Sequence, residues 1–183
     1  MFIKKEIKLF LILLLSIFIF YSCVTTSYNR ETYRVGDKTI IDGIRVELKS
    51  ANFTSYFKNF VGQTTYASDK FLIVDVVCTN LSRSPLSLYF QPAYKLIDEN
   101  GYEYEQSNQN TMMINMSKQG RGTYGEAWNP NVERRQEIVF EVPENNYKLQ
   151  VIAPSTANYG FGGSINVRGD YIIFDLSPEA KMP

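Results

Sequence analysis

Apolar residues recurring at every second position, segment after segment and with no 3.6-residue stripe beside them, restrict most of this chain to β-strands. Ile44, Val46 and Leu48 alternate with Arg45, Glu47 and Lys49. Successive strand side chains point to opposite faces, so this segment has an aliphatic face to bury and a charged face for water. Asp42-Gly43 just before it marks a tight turn from a preceding strand, Thr39-Ile40-Ile41, because both residues tolerate positive φ. Phe71 to Thr79 is apolar on both faces except at Asp75, which suits a central strand. Tyr94 and Leu96 share a face ahead of Asp98-Glu99-Asn100-Gly101 and Tyr102-Glu103-Tyr104-Glu105, a strong hairpin signal. Ile138, Phe140 and Val142 alternate with Glu137, Val139 and Glu141 until Pro143 ends the pairing. Tyr147 to Ala153 and Tyr171 to Leu176 follow, the last with Ile172, Phe174 and Leu176 inward. Seven or eight strands, each with an apolar face to cover, predict an all-β fold: an antiparallel two-sheet sandwich.

The N-terminus obeys a different rule. Met1-Phe2-Ile3-Lys4-Lys5-Glu6-Ile7-Lys8 leads into Leu9 to Tyr21, 13 residues that are apolar but for one Ser. A membrane-spanning helix needs ~20 such residues to cross ~30 Å of hydrocarbon. A charged start and an apolar stretch of this length fit a secretory signal instead. Phe20-Tyr21-Ser22-Cys23 resembles a lipobox, at which bacteria attach diacylglycerol to the Cys and cut before it. Phe20 in place of Leu and Tyr21 in place of a small residue are its departures. The resemblance implies a signal peptide over residues 1–22, palmitate-type lipidation at Cys23, and an extracytoplasmic lipoprotein anchored to a bacterial membrane. Two or three acyl chains would hold it firmly, at ~0.8 kcal/mol per buried methylene. An uncleaved anchor would leave the remainder on the same side. Val24 to Asp37 is polar and aperiodic. The expected organisation is therefore a tether over 23–37, a sandwich over 38–178 and a tail over 179–183.

Composition removes several function classes. The chain has no histidine, which excludes Ser-His-Asp and Cys-His catalysis and every His-based metal site. Lys and Arg number 19 and Asp and Glu 19. Without Lys4, Lys5, Glu6 and Lys8 the remainder carries a net charge of −2, so no basic field for nucleic acid exists. Cys78 is the only cysteine after Cys23. It lies on the face opposite Asp75 and reads as a small buried apolar residue. No cofactor is implied.

Four segments in order resemble a known family. They are Phe71-Leu-Ile-Val-Asp-Val-Val-Cys-Thr-Asn80-Leu-Ser82, Tyr94-Lys-Leu-Ile-Asp98-Glu-Asn-Gly101-Tyr-Glu-Tyr104, Trp128-Asn129-Pro130-Asn131 and Ile138-Val-Phe-Glu-Val-Pro143. Together they resemble the telokin-like, immunoglobulin-like domain of bacterial secreted lipoproteins, a domain of unknown function. Asn131 stands where that family often has Gly. The resemblance implies an immunoglobulin-like sandwich and no catalytic residues.

Binding residues are sought where aromatic and Met side chains fall outside the alternating segments. Asn52 to Tyr66 reads as an insertion between strands and holds Phe53, Tyr56, Phe57, Phe60 and Tyr66. Aromatics in a loop offer large contact area at low entropy cost; equally, they could cover an open end of the sandwich. Thr111 to Trp128 reads as a second loop, with Met112, Met113, Met116, Tyr124 and Trp128, and Met adapts to irregular partners. Asn158 to Gly163 is Gly-rich but lacks the Lys of a phosphate loop. Asp98 and Asn100 resemble the start of a calcium loop without its other ligands. Glu103 and Glu105 share one face, yet nothing suggests the burial a glycosidase acid needs. The expected function is a non-enzymatic module binding an envelope protein or other cell-envelope component. Binding of a small ligand or glycan by the aromatic loops is the alternative.

Overall fold

Two sheets take up the alternating segments. The computed structural model of the chain describes residues 31–87, 90–119, 127–154, 157–159, 165–167 and 170–177. The signal segment, Cys23, the start of the tether, Tyr124 and the tail over 179–183 lie outside the described residues. In chain order the strands are β1 (Thr32–Arg34), β2 (Lys38–Ile41), β3 (Ile44–Lys58), β4 (Thr64–Asn80), β5 (Ala93–Asp98) and β6 (Glu103–Glu105). A helix, α1 (Asn108–Gln119), precedes β7 (Glu133–Glu141), β8 (Tyr147–Ile152), β9 (Ala157–Tyr159), β10 (Ile165–Val167) and β11 (Tyr171–Asp175). One sheet has the order β2-β3-β4-β7 and the other β1-β11-β8-β5-β6, while among the described residues β9 and β10 pair only with each other.

The inward faces meet in one core. Ile44, Val46, Leu48, Leu72, Val74, Val76 and Phe140 of the first sheet pack with Tyr94, Leu96, Leu149, Val151 and Phe174 of the second. Cys78 is buried beside the Tyr94 hydroxyl at 3.5 Å, and burial pushes its thiol up to about 11. Asp75 sits on the other face of β4, where Arg135 grips both carboxylate oxygens. Asn80 is fully buried at the end of β4. Its amide donates to the Trp128 and Ser84 carbonyls and its oxygen accepts from the Ser82 N–H and hydroxyl, so one side chain ties the following loop to the sheet. Asn131, with φ of 58°, supplies the left-handed turn residue for which Gly is common, since Asn also tolerates that region.

Four sequence expectations change. The tether ends earlier than residue 37: β1 runs parallel to β11, and Tyr33 packs on Phe174 at 5.6 Å between ring centroids. The larger sheet is therefore not wholly antiparallel. Asn52–Tyr66 is no insertion, because β3 and β4 continue through it as one long hairpin. Thr111–Trp128 is not a loop throughout, for α1 occupies its first part. Asn158, at the start of the Gly-rich segment, pairs with Asn166 of β10.

Slips in the ladder hid the hairpin. The β3–β4 register shifts between Leu48 and Ser50 and again between Thr54 and Tyr56. The first shift leaves Lys49 as an extra residue on β3, and the second sets Ser55 of β3 against four residues of β4; with a period of two, each irregularity reverses which β3 side chains face the core. Ile44, Val46 and Leu48 point inward, then Ala51 and Phe53 do. After the second shift Phe57 turns to the outer face and packs with Phe71, Ile114 and Val139. Broken alternation looks like a loop.

The helix was hidden for a different reason. Its buried positions are Ile114 and Asn115, with Thr111, Met113 and Met116 half-buried, so the packed stripe is partly polar. Those polar groups bond to the edge strand β7. Asn115 Oδ1 accepts from the Glu137 N–H at 2.8 Å, and its Nδ2 donates to the Glu137 carbonyl at 2.8 Å. Thr111 Oγ1 accepts from the Val139 N–H at 3.0 Å, and the Ser107 N–H donates to the Val139 carbonyl at 2.8 Å. Side chains of α1 thus stand where a fifth strand would pair, closing part of an edge that would otherwise template aggregation.

Candidate functional site

The end of the β3–β4 hairpin and the outer face beside it form the candidate site. Asn59 and Gly62 close the turn: the Gly62 N–H donates to the Asn59 carbonyl and the Asn59 N–H to the Gln63 carbonyl, both at 2.9 Å. The Asn59 side chain accepts from the N–H groups of Val61 and Gln63, and Gly62 takes φ of 81°, where a side chain would be strained. β2 reaches only Glu47 of β3, and β7 pairs with β4 only as far as Phe71. The hairpin therefore extends past both neighbours. Glu141 steadies its base by accepting the Ser68 N–H at 2.7 Å.

Tyr56, Phe60 and Tyr66 are 53%, 50% and 73% exposed on this extension, with Val61 at 60%. Tyr56 and Tyr66 are cross-strand neighbours with rings 6.0 Å apart. Beside them lies a groove of about 670 Å³. Its floor is the outer face of β3 and β4 at Asn52, Thr54 and Ile73; Ile114 of α1 and Glu137 of β7 bound one side, and Tyr56 to Phe60 the other. The second bulge makes this shape, since it drops Phe57 into the floor and leaves Tyr56 at the surface. Thr54 Oγ1 holds the bulge, bonding to both the N–H and the carbonyl of Tyr56.

The candidate residues divide. Phe53 is half-buried against the main core with Tyr147 at 6.4 Å, and Phe57, 6% exposed, packs edge-on to Phe71 at 5.2 Å. Both support the sandwich rather than a contact surface. Trp128 is 1% exposed, donates its indole N–H to the Val132 carbonyl and carries the Arg134 guanidinium 5.4 Å from its ring centre. It is a core residue. Met113 packs under α1, whereas Met112 is exposed. Tyr56, Phe60 and Tyr66 stand together at the hairpin end. Asn52, Thr54, Ile73, Ile114 and Glu137, which line the groove, escaped the sequence reading because four different elements contribute them. The turn was more visible: Asn59 and Gly62 between strand-like flanks carry a hairpin signature.

The other polar clusters are internal ties. Lys95, nearly buried, reaches Glu103 at 3.0 Å and Glu105 at 3.1 Å. Burial pulls its ammonium down, but the hydrogen bonds it donates to both carboxylates outweigh that and hold it above its ordinary value. Asp98 accepts from the N–H groups of Asn100 and Tyr102 and from the Tyr104 hydroxyl, so it shapes the Asn100-Gly101 turn. Among the described residues no group of three or more Cys, Asp or Glu is placed to hold a metal ion, and no helix is long and apolar enough to cross a membrane.

Comparison with known proteins agrees with this architecture. A conserved hypothetical protein from Bacillus anthracis superposes with a TM-score of 0.56 at 18% identity, over 71% of this chain and 95% of that one. The yjhA protein from Bacillus subtilis does so with 0.52 at 14% identity, over 80% and 100%. An uncharacterized beta-sandwich protein from Clostridium difficile gives 0.50 at 11% identity, over 84% and 100%. Likeness at these identities concerns the fold, not the site. No curated protein matches the chain. Residues 33–162 match a family model that spans both sheets and the hairpin, and the chain belongs to that family, the Domain of unknown function (DUF4352).

Proposed function

We propose that the chain is an extracytoplasmic lipoprotein, held at a membrane by lipid on Cys23, whose sandwich is a non-enzymatic module binding a protein or another component of the cell envelope. The contact surface is the end of the β3–β4 hairpin. The observation that carries this reading is the joint exposure of Tyr56, Phe60, Val61 and Tyr66 on an extension that no neighbouring strand flanks. Clustered exposed apolar groups mark interaction sites, and aromatics dominate binding energy at interfaces. The non-enzymatic reading draws support from the absence of histidine and from the capture of Glu103 and Glu105 by Lys95.

A benzophenone amino acid replacing Tyr66 in the full chain, irradiated in intact envelopes, tests the surface. A discrete adduct is expected, lost when Tyr56 and Phe60 are changed to Ser, and absent when the probe replaces Tyr102, which is exposed on the β5–β6 turn. Adducts of equal yield from both probe positions, or none from Tyr66, would refute it. Cys23→Ala should abolish labelling by palmitate; persistent labelling would remove the anchor.

A further inference from the structure

β1 fixes the end of the sandwich from which the N-terminal chain enters. Its register places Thr32 in one row with Ile173, Gln150 and Lys95, and Arg34 in one row with Asp175, Lys148 and Ile97. The chain therefore advances along β1 toward the end where β5 and β8 meet at Asp98 and Tyr147. β3 runs the same way. Val46 pairs with Cys78, whose sulfur lies 3.5 Å from the Tyr94 hydroxyl, and further along β3 Phe53 packs on Tyr147 with 6.4 Å between ring centroids. Beyond Phe53 the strand continues to Lys58 and the turn. The chain thus enters from the end remote from the hairpin turn. At ~3.3 Å per residue, and allowing for the bulges, Val46 to Lys58 spans ~30 to ~40 Å.

That separation limits what the exposed residues of the turn can touch. Thr32 follows Cys23 by nine residues, which reach at most ~32 Å when fully extended. For the turn to dip end-on into a bilayer that holds lipid on Cys23, those nine residues would have to run back along the domain at nearly full extension. The backbone freedom lost in doing so exceeds what the partly exposed side chains of Tyr56, Phe60, Val61 and Tyr66 return by leaving water. A protein surface suits them better. Phe60 and Val61 stand within a protruding turn between Asn59 and Gln63, so the partner must supply the concavity, and an apolar pocket does so. Aromatic anchors seated in such pockets carry much of the binding energy at protein interfaces. A saccharide, covered in hydroxyl groups, has no apolar pocket to receive Val61.

We infer that the hairpin turn is held away from the bilayer carrying the lipid and docks, through Phe60 and Val61 with Tyr56 and Tyr66 behind them, into an apolar pocket of a protein that stands ~30 Å or more off that bilayer. This rests on the proposal that lipid on Cys23 anchors the chain and that the hairpin end is its contact surface, and it specifies the component as protein and its place as outside the anchoring bilayer.

Energy transfer to acceptor-labelled lipid tests the orientation. The full chain, lipidated in cells and reconstituted in phosphatidylcholine–phosphatidylglycerol vesicles, carries a donor dye at Val61→Cys or at Asp170→Cys; Asp170 is exposed just before β11, at the entry end. Cys78 is buried with its thiol held protonated, so it escapes labelling at neutral pH. Transfer at least about twofold weaker from Val61→Cys than from Asp170→Cys is expected from a ~30 Å difference in height. Equal or stronger transfer from Val61→Cys overturns the inference. The adduct of the Tyr66 probe in intact envelopes tests the partner: it should yield peptides foreign to this chain, and Phe60→Ser with Val61→Ser should abolish it. An adduct of glycan or lipid without foreign peptides overturns the protein partner while upholding the hairpin surface. Lack of any adduct, or palmitate labelling that persists in Cys23→Ala, would instead strike the broader proposal.

Discussion

Replacing Asn115 by Ala tests whether a polar helix is held to the sandwich mainly by its bonds to an edge strand. Asn115 lies 3% exposed on α1 and exchanges two hydrogen bonds of 2.8 Å with the backbone of Glu137, as a paired strand residue would. It also donates to the Thr111 carbonyl at 2.7 Å. Truncation leaves the Glu137 N–H and carbonyl without these partners. A net hydrogen bond is worth ~0.5 to ~1.5 kcal/mol, and a buried group left unsatisfied costs ~1 to ~3 kcal/mol. Two such groups, with water reaching the nearby sheet edge, give an expected loss of about 2 to 3 kcal/mol. Met112→Ala, on the exposed side of the same helix, should stay within ~0.5 kcal/mol. Urea unfolding measures both. Native-state hydrogen exchange adds a local readout, since the Glu137 and Val139 amides should exchange faster in Asn115→Ala while those of β8 keep their ranking. Equal stability of the two variants, or an unchanged Glu137 amide, would refute the idea that α1 is held by its strand-like bonds.

Two further tests probe the sandwich. Phe140→Ala, at a fully buried position, should cost ~3 to ~5 kcal/mol and Val74→Ala about 2, by cavity formation; Glu141→Ala should cost about 1, because its carboxylate accepts the Ser68 N–H. Equal losses for Phe140→Ala and Glu141→Ala in urea would mean the inward and outward faces of β7 are misassigned. Burial raises the Cys78 thiol from 9.0 to about 11, so the folded state holds this proton more tightly than the unfolded chain. The corresponding stability is complete below about pH 9 and is lost as pH rises through about 11, up to about 2 to 3 kcal/mol at ~1.4 kcal/mol per unit. Cys78→Ala should flatten that fall in urea midpoints. An identical slope in both proteins would show that the thiol titrates as freely folded as unfolded.

Alternation by itself determined the two-sheet layout. Where a strand keeps strict period two, as in Ile44–Leu48, the inward residues named from sequence are the buried ones, because apolar area must leave water and one face supplies it; on β7 Ile138, Phe140 and Val142 are buried as expected, but Val139 on the other face is buried too, under α1. Asp42-Gly43 and Asn100-Gly101 marked turns for an equally local reason, positive φ. Lipidation at Cys23, too, is an inference from short-range pattern alone. Tertiary structure decided everything that depends on contacts distant in sequence. The second bulge turned Phe57 to the outer face, where it is buried beneath α1, and left Tyr56 exposed, although the two are adjacent. Asn115 became a buried helix position and Thr111 a half-buried one only because β7 offered backbone partners. Trp128, conspicuous in the sequence, went into the core once Val132 took its N–H. The groove exists because β3, β4, α1 and β7 converge, each with a few residues that are unremarkable in their own segment. Hydrophobic periodicity is a property of consecutive residues and can be read along the chain; a concave surface is a property of their juxtaposition and cannot.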